Sequence, residues 1–317
     1  MSVEWPYRFK LGVVMEEIHR DPEVALPFAH QLGMTHIEFG SLWGRPLPET
    51  TTADWCRMQA LLRENDLQVA MVGPSTFKTV YIGHLRPGEI ERDEHYAREL
   101  EAMEKVLEAA RYFGSPLART FSFRREGMVG LGNPSSRLPR GGQIAPEMLE
   151  RLSAAFGPIC RRAEDAGVDL GLENVRSCWA NSGWNAARVI EAAGSPRLKS
   201  VWDPANGFVS GEDRPYPDGY LQVRPHMAHV HVKDAVVLDA ATGLTEWQRV
   251  GDGAVDYRGQ MEALLDDGYE GVVSIETHYE PKGETPAEAT RLTTEGLLQV
   301  LASIQVKPAG DGRDGAA

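Results

Sequence analysis

The stretch Ala228–Asp234 reads AHVHVKD. Alternate residues of a β-strand project to one face. His229 and His231 therefore point together, with Lys233 in the same parity, while Val230 and Val232 face the other way. Two imidazoles side by side at the end of an otherwise apolar strand raise the question of what they serve.

Seven further runs have the length and apolar character of strands. They are FKLGVVM from Phe9, THIEFG from Thr35, LQVAMVG from Leu67, LARTFSF from Leu117, VDLGLEN from Val168, LKSVWD from Leu198 and GVVSIETH from Gly271. Helical patterns separate them. Residues 22–32 start at Pro22 and stop at Gly33, and residues 52–65 form another. ELEAMEKVLEAARYFG ends at Gly114 and PEMLERLSAAFGPICRRAEDAG at Gly167. Proline suits a helix start and glycine its C-terminal stop. NAARVIEAAG, residues 258–268 and TPAEATRLTTEGLLQVLASI complete the alternation. Eight βα repeats predict an α/β fold, a single-domain (β/α)8 TIM barrel over residues 8–303. An open doubly wound sheet would be expected to carry a glycine-rich phosphate turn after its first strand, and EEIHRDPEVA has no GxGxxG. Residues 304–317 read as a small, polar, Gly-rich tail that frays.

The chain has 317 residues, 42% hydrophobic and 25% charged, with a net charge of -13. That charge disfavours a non-specific nucleic-acid binder, which needs excess Lys and Arg to displace counterions from phosphates. No apolar run approaches the ~18 residues of a membrane span. Cys56, Cys160 and Cys178 are scattered and form no CxxC, which suits reduced, buried thiols. The N-terminal MSVEWPYRFK lacks the pattern of a secretory signal, so a cytoplasmic location is expected. Oligomeric state, homo-oligomer included, is left open by helix-face patterns.

Two connections exceed the usual two to six residues. One runs from Pro74 through TFKTVYIGHLRPG; the other, RREGMVGLGNPSSRLPRGGQ, begins at Arg124. On a barrel both lie at the C-terminal face, where active sites are built. With Arg124, Arg125, Arg137 and Arg140, the second reads either as a lid over an anionic or polyol substrate or as a solvated excursion.

Acidic residues and histidines accumulate at the ends of the last four strands: Glu173 and Asn174 in GLEN, Asp203 and Asn206 in VWDPAN, His229 and His231, then Glu276 and His278 in SIETH. A carboxylate ending an apolar run must be paired or bound. Three converging carboxylates would repel and raise one another's pKa. A divalent cation resolves this, and three oxygen donors with one imidazole suit Mn²⁺ or Mg²⁺, with Co²⁺ or Zn²⁺ as competitors and Mn²⁺ the first expectation. One of the two histidines would ligate it; the other would orient it or contact substrate. Lys233 could face substrate, although a lysine at a strand end is more often simply solvated, and Arg119 is expected to contact substrate or, equally, to sit in a buried ion pair. Trp184, Trp202 and Trp43 are candidates for a sugar-stacking wall, each also suited to core packing.

GLEN, WDPAN, HVHVKD and SIETH resemble the xylose-isomerase-like TIM-barrel superfamily of sugar isomerases and epimerases, across roughly residues 8–303. The resemblance implies a single divalent metal held by Glu173, Asp203, His231 and Glu276, with Glu173 and Glu276 as acid and base on opposite faces of a sugar or polyol substrate. His229, Asn206, Lys233, Arg119 and Trp184 would contact that substrate. The epimerases often have Asp-x-x-His on the sixth strand, whereas this chain has Asp203-Pro204-Ala205-Asn206, and Asn206 cannot titrate near neutral pH.

The expected reaction is proton abstraction beside a carbonyl, giving isomerisation or epimerisation through an enediolate. The same residues serve a dehydratase, or a lyase cleaving a 3-keto glycoside by β-elimination. An endonuclease IV-like nuclease is disfavoured by Asn206 and by net charge, and a non-catalytic sugar-binding barrel by the intact ligand set. VGDGAVDY, from Val250, is Gly-rich but acidic, which favours an unphosphorylated substrate.

Overall fold

The computed structural model describes residues 5–128 and 135–304. Its centre is a closed barrel of eight parallel strands. These are β1 (Lys10–Val14), β2 (His36–Phe39), β3 (Gln68–Val72), β4 (Leu117–Thr120), β5 (Asp169–Glu173), β6 (Leu198–Trp202), β7 (Met227–Val232) and β8 (Val272–Ile275). Each pairs with its sequence neighbours, and β8 closes on β1 with Lys10 opposite Val272. The fold is therefore the (β/α)8 barrel. The tail expected from residue 304 lies outside the described residues from 305 onward.

Helices α1 (Pro22–Gln31), α2 (Thr52–Glu64), α3 (Glu94–Phe113), α4 (Pro146–Ala166), α5 (Gly183–Ala193), α6 (Pro204–Ser210), α7 (Tyr257–Asp266) and α8 (Pro286–Ala302) cover the strands. Their limits follow local chemistry. Asp93 caps α3 by accepting from the N–H groups of His95 and Tyr96 at 3.1 and 2.9 Å, which satisfies donors no intrahelical bond reaches. Gly114 ends it with φ of 67°. The buried residues of α3, among them Leu100, Met103, Val106, Leu107 and Ala110, recur every three to four positions and face the barrel.

The main apolar core lies between strands and helices. A separate small cluster of Met71, Leu117 and Val201, with Ala228 against it, fills the inside of the barrel. Gly12 and Gly171 leave room there, since a methyl group at either would crowd Val272 and Ser274 or Val201 and Met71. Most barrel interiors are packed with Val, Ile and Leu. Here the apolar floor gives way, towards the strand ends, to charged groups.

Two hairpins are added to the barrel. One pairs Ser41–Leu42 with Arg45–Pro46; the other pairs Asp234–Asp239 with Leu244–Gln248, directly after β7. No helix among the described residues is long and apolar enough to cross a membrane.

Candidate active site

The strand ends deliver Glu173, Asp203, His231 and Glu276 to one point, each offering a ligand atom within 4.8 Å of the others. All four are buried, Glu276 being 7% exposed and Asp203 fully covered. Strand pairing explains the convergence. Glu173 ends β5 and Asp203 follows β6. His231 lies opposite Ser274, two residues before Glu276 on the same face of β8.

A fifth acid belongs to the centre. Glu38, on β2, is 1% exposed and spans both histidines, its oxygens 2.7 Å from His229 Nε2 and 3.1 Å from His231 Nε2. Burial pushes the Glu38 carboxyl up, but the two imidazoles outweigh it and hold the group well below the usual range. Ionised Glu38 only accepts, so Nε2 of each histidine carries the proton. His231 then turns Nδ1 toward Glu276 at 3.3 Å and Glu173 at 3.6 Å, and this buried nitrogen has no aligned hydrogen-bond partner. An orienting carboxylate behind a ligating imidazole is the arrangement that fixes its tautomer and strengthens it as a donor.

Two cationic side chains are woven into the cluster. Arg119 Nη1 lies 3.1 Å from Glu173 and 3.5 Å from Glu276, and its Nη2 donates to the Gly73 carbonyl. Lys233 Nζ lies 2.7 Å from Asp203 Oδ2 and in direct contact with Glu276 Oε2. Burial alone would raise Glu276 and Glu173; Lys233 and His231 hold the first well below its usual value, and Arg119 depresses the second. Asp203 goes the other way, raised by burial and by its acidic neighbours despite Lys233.

The site fits a divalent cation on charge as well as on donors. Glu38, Glu173, Asp203 and Glu276 supply four negative charges against Arg119 and Lys233. Burial lowers the His231 imidazole, but Glu38 and Glu276 outweigh it and hold the group well above its usual value, so a dication would replace the Nδ1 proton and offset the excess carboxylate charge. Unbalanced buried charge is costly, and an unpaired imidazole nitrogen aimed at two carboxylates is a ready ligand.

The residues expected to touch substrate divide into groups. Asn206 Nδ2 donates to Glu173 at 3.2 Å and to Asp203 at 3.0 Å, while its backbone N–H caps α6 on Asp203. It positions the carboxylates and leaves its buried Oδ1 unpaired. His229 is engaged by Glu38 and borders a cavity of about 530 Å³ at the opposite mouth of the barrel, together with Lys10, His36 and Gln68. Trp184 lies under the Arg140 guanidinium, 4.1 Å from it. Trp202 is core, its Nε1 donating to Gln260, and Trp43 sits under Arg57.

The indole that does adjoin the charged cluster is Trp247, from the hairpin after β7. Its ring lies 5.6 Å from Lys233 Nζ and 5.5 Å from the His278 ring. His278 adopts φ of 48°, a left-handed conformation that costs a bulky residue energy. Glu17 holds it there through its backbone N–H and its imidazole, both at 3.2 Å. These two residues border a cavity of about 520 Å³ that also takes in Glu16, Tyr279 and Glu280.

The Arg-rich connection is docked. Arg125 donates to the Gly141 carbonyl and lies over Trp179, Arg137 donates to the Phe208 carbonyl, and Arg124 donates to Met128. Residues 129–134 of it lie outside the described residues. The Gly-rich VGDGAVDY turn is also committed: Asp234 accepts from the N–H groups of Gly251, Gly253 and Val255 at 3.0–3.1 Å. Its donors are spent on a carboxylate of the chain itself, which leaves no nest there for a phosphate. Cys56 is exposed, against the expectation of three buried thiols.

Sequence alone named the four converging residues but not Glu38. The signal was present, a lone acid in the apolar HIEF of β2. Its partners are strand neighbours only across the barrel's interior, which no local pattern reveals.

Comparison with known proteins places this geometry. Fructoselysine 3-epimerase of Escherichia coli O157:H7 is 29% identical over 130 residues, 40% of this chain and 44% of that protein. The match thus spans under half the length of that relative. The crystal structure of the Escherichia coli 3-keto-D-glucoside 4-epimerase YcjR superposes with a TM-score of 0.67 at 19% identity, covering 92% of this chain and 99% of that one. The IOLI protein with a bound zinc atom gives 0.69 at 16% identity, covering 93% and 98%. Residues 26–297 match the profile of the xylose isomerase-like TIM barrel, and the chain belongs to that family.

Proposed function

We propose that the protein is a divalent-metal-dependent isomerase or epimerase of a keto sugar or related polyol, acting by proton transfer at a carbon next to a carbonyl. The observation that carries this reading is the convergence of Glu173, Asp203, Glu276 and the unpaired Nδ1 of His231, with two of the acids held ionised in a buried setting. The partial match to a sugar epimerase supports the substrate class.

Glu173, Asp203, His231 and Glu276 would hold the cation, which when bound supplies Lewis-acid polarisation of a carbonyl and its neighbouring hydroxyl. The chain's own part is proton handling. Arg119, with Lys233 in the metal-free chain and the cation in its place when bound, keeps Glu173 and Glu276 ionised, so either can accept the proton. One removes it and becomes the acid; the other, having first taken up a proton from solvent, returns that proton to the opposite face or to the adjacent carbon. Asn206 and Glu38 hold the participants in register without exchanging protons with substrate.

The test is metal content per chain, followed by keto-sugar incubation in D₂O with the metal-loaded protein. One divalent ion per chain and deuterium at the carbon next to the carbonyl support the proposal. Loss of water or of an aglycone instead would transfer the same site to a dehydratase or lyase. Absence of metal after reconstitution would refute the ligand assignment.

A further inference from the structure

Lys233 Nζ occupies the position between two of the four candidate ligands. It contacts Asp203 Oδ2 at 2.7 Å and Glu276 Oε2 directly, and the residue is 1% exposed. A lysine is rarely buried so completely unless paired. Its backbone cannot retreat: the N–H donates to the Tyr257 hydroxyl at 3.1 Å, and that hydroxyl donates back to the Lys233 carbonyl at 2.5 Å. Besides the carboxylates, the face of Trp247 lies 5.6 Å from the ammonium. An ammonium and a dication drawing on the same two oxygens would repel each other strongly at short range in this low-dielectric setting.

We propose that Lys233 is an internal counter-cation, holding the carboxylate cluster together in the metal-free chain and exchanged for the divalent metal, whereupon its ammonium moves to the face of Trp247. The inference rests on the metal reading above and adds to it a loading mechanism. Lys233 offsets part of the buried carboxylate charge at Asp203 and Glu276 before the metal is loaded. A monovalent cation offers the carboxylates no more charge than Lys233 already does, so only a dication displaces it. Trp247 then receives the ammonium through cation–π attraction, on a hairpin whose base is locked by Asp234.

The experiment compares the wild-type chain with Lys233→Met, which keeps length and burial but removes the charge. Calorimetric titration with MnCl₂ is expected to show at least tenfold tighter binding by the variant. The metal-free variant should also melt below metal-free wild type, and metal should raise its melting temperature by more. Unchanged Mn²⁺ affinity, with binding intact in both proteins, overturns the exchange and leaves the metal site standing. No binding by either protein overturns the metal reading and the exchange with it. A readout on the wild-type chain covers a variant that does not fold: trace acetylation of lysines, read by peptide mass spectrometry. Lys233 should be protected in the metal-free protein and labelled after Mn²⁺ loading; equal protection in both states overturns the exchange.

Discussion

Glu38 and His231, 193 residues apart in sequence, meet inside the barrel with Oε2 3.1 Å from Nε2. The bond decides which imidazole nitrogen is free. With Nε2 protonated against Glu38, Nδ1 is the atom presented to Glu173 and Glu276. Glu38→Gln keeps an acceptor but removes the charge that makes His231 a strong donor. Supports of this type are worth about 10–100-fold in metal affinity. A loss of that size in Mn²⁺ or Zn²⁺ titrations is expected, and an unchanged affinity would show that Glu38 does not orient the ligand.

Glu276→Gln and Glu173→Gln probe proton transfer. Each should reduce turnover by ~10²–10⁴-fold, the usual worth of a positioned carboxylate base or acid. The measurement is the rate of solvent deuterium uptake by substrate, with circular dichroism to show that the variants fold. A variant of either residue retaining near-wild-type exchange would remove that residue from the chemistry.

Glu212 carries a pH dependence that is separate from the site. It is 1% exposed and accepts from the N–H groups of Gly183 and Trp184 at the start of α5, yet burial pushes its carboxyl up from 4.5 to about 7. A carboxyl whose folded pKa is raised binds more protons folded than unfolded. Stability therefore falls as pH rises from the unfolded value through the folded one, by on the order of 3 kcal/mol for this shift. Glu212→Gln should be more stable than wild type by ~1–3 kcal/mol at pH 8 and lose that advantage near pH 4. Urea unfolding at the two pH values measures it, and a pH-independent difference would contradict the assignment.

Gly211 secures the docked loop. Its φ is 108°, and a methyl group there would collide with the Leu138 carbonyl, while its own carbonyl accepts from Arg140 at 3.1 Å. Gly211→Ala should lower stability by ~1–3 kcal/mol through backbone strain and the broken contact. It should also open residues 135–143 to limited proteolysis. Protection equal to wild type would mean the loop tolerates the collision by moving elsewhere.

Much of the architecture was legible because the barrel's determinants are local. Eight apolar runs separated by helical patterns ending in glycines at 33, 114 and 167 specify βα repeats, and right-handed crossovers leave few ways to assemble them. Strand parity and strand-end position likewise put Glu173, Asp203, Glu276 and the pair His229 and His231 in view, and the family resemblance singled out His231. The hairpin after β7 was not legible: its strands pair only with each other, and VLDAATG reads as loop.

What the amino-acid sequence by itself determined was therefore the kind of residue presented at the end of each strand, since that depends on period and order along the chain. What only the tertiary structure decided was how those groups share charge: that Glu38 serves both histidines, that Lys233 lies between Asp203 and Glu276, that the loop arginines are consumed by carbonyls and rings, and that Trp247 rather than Trp184 adjoins the charged cluster. Those relations run across the barrel's interior. Buried charge is balanced by whichever groups closure brings within a few ångströms, whatever their separation in sequence.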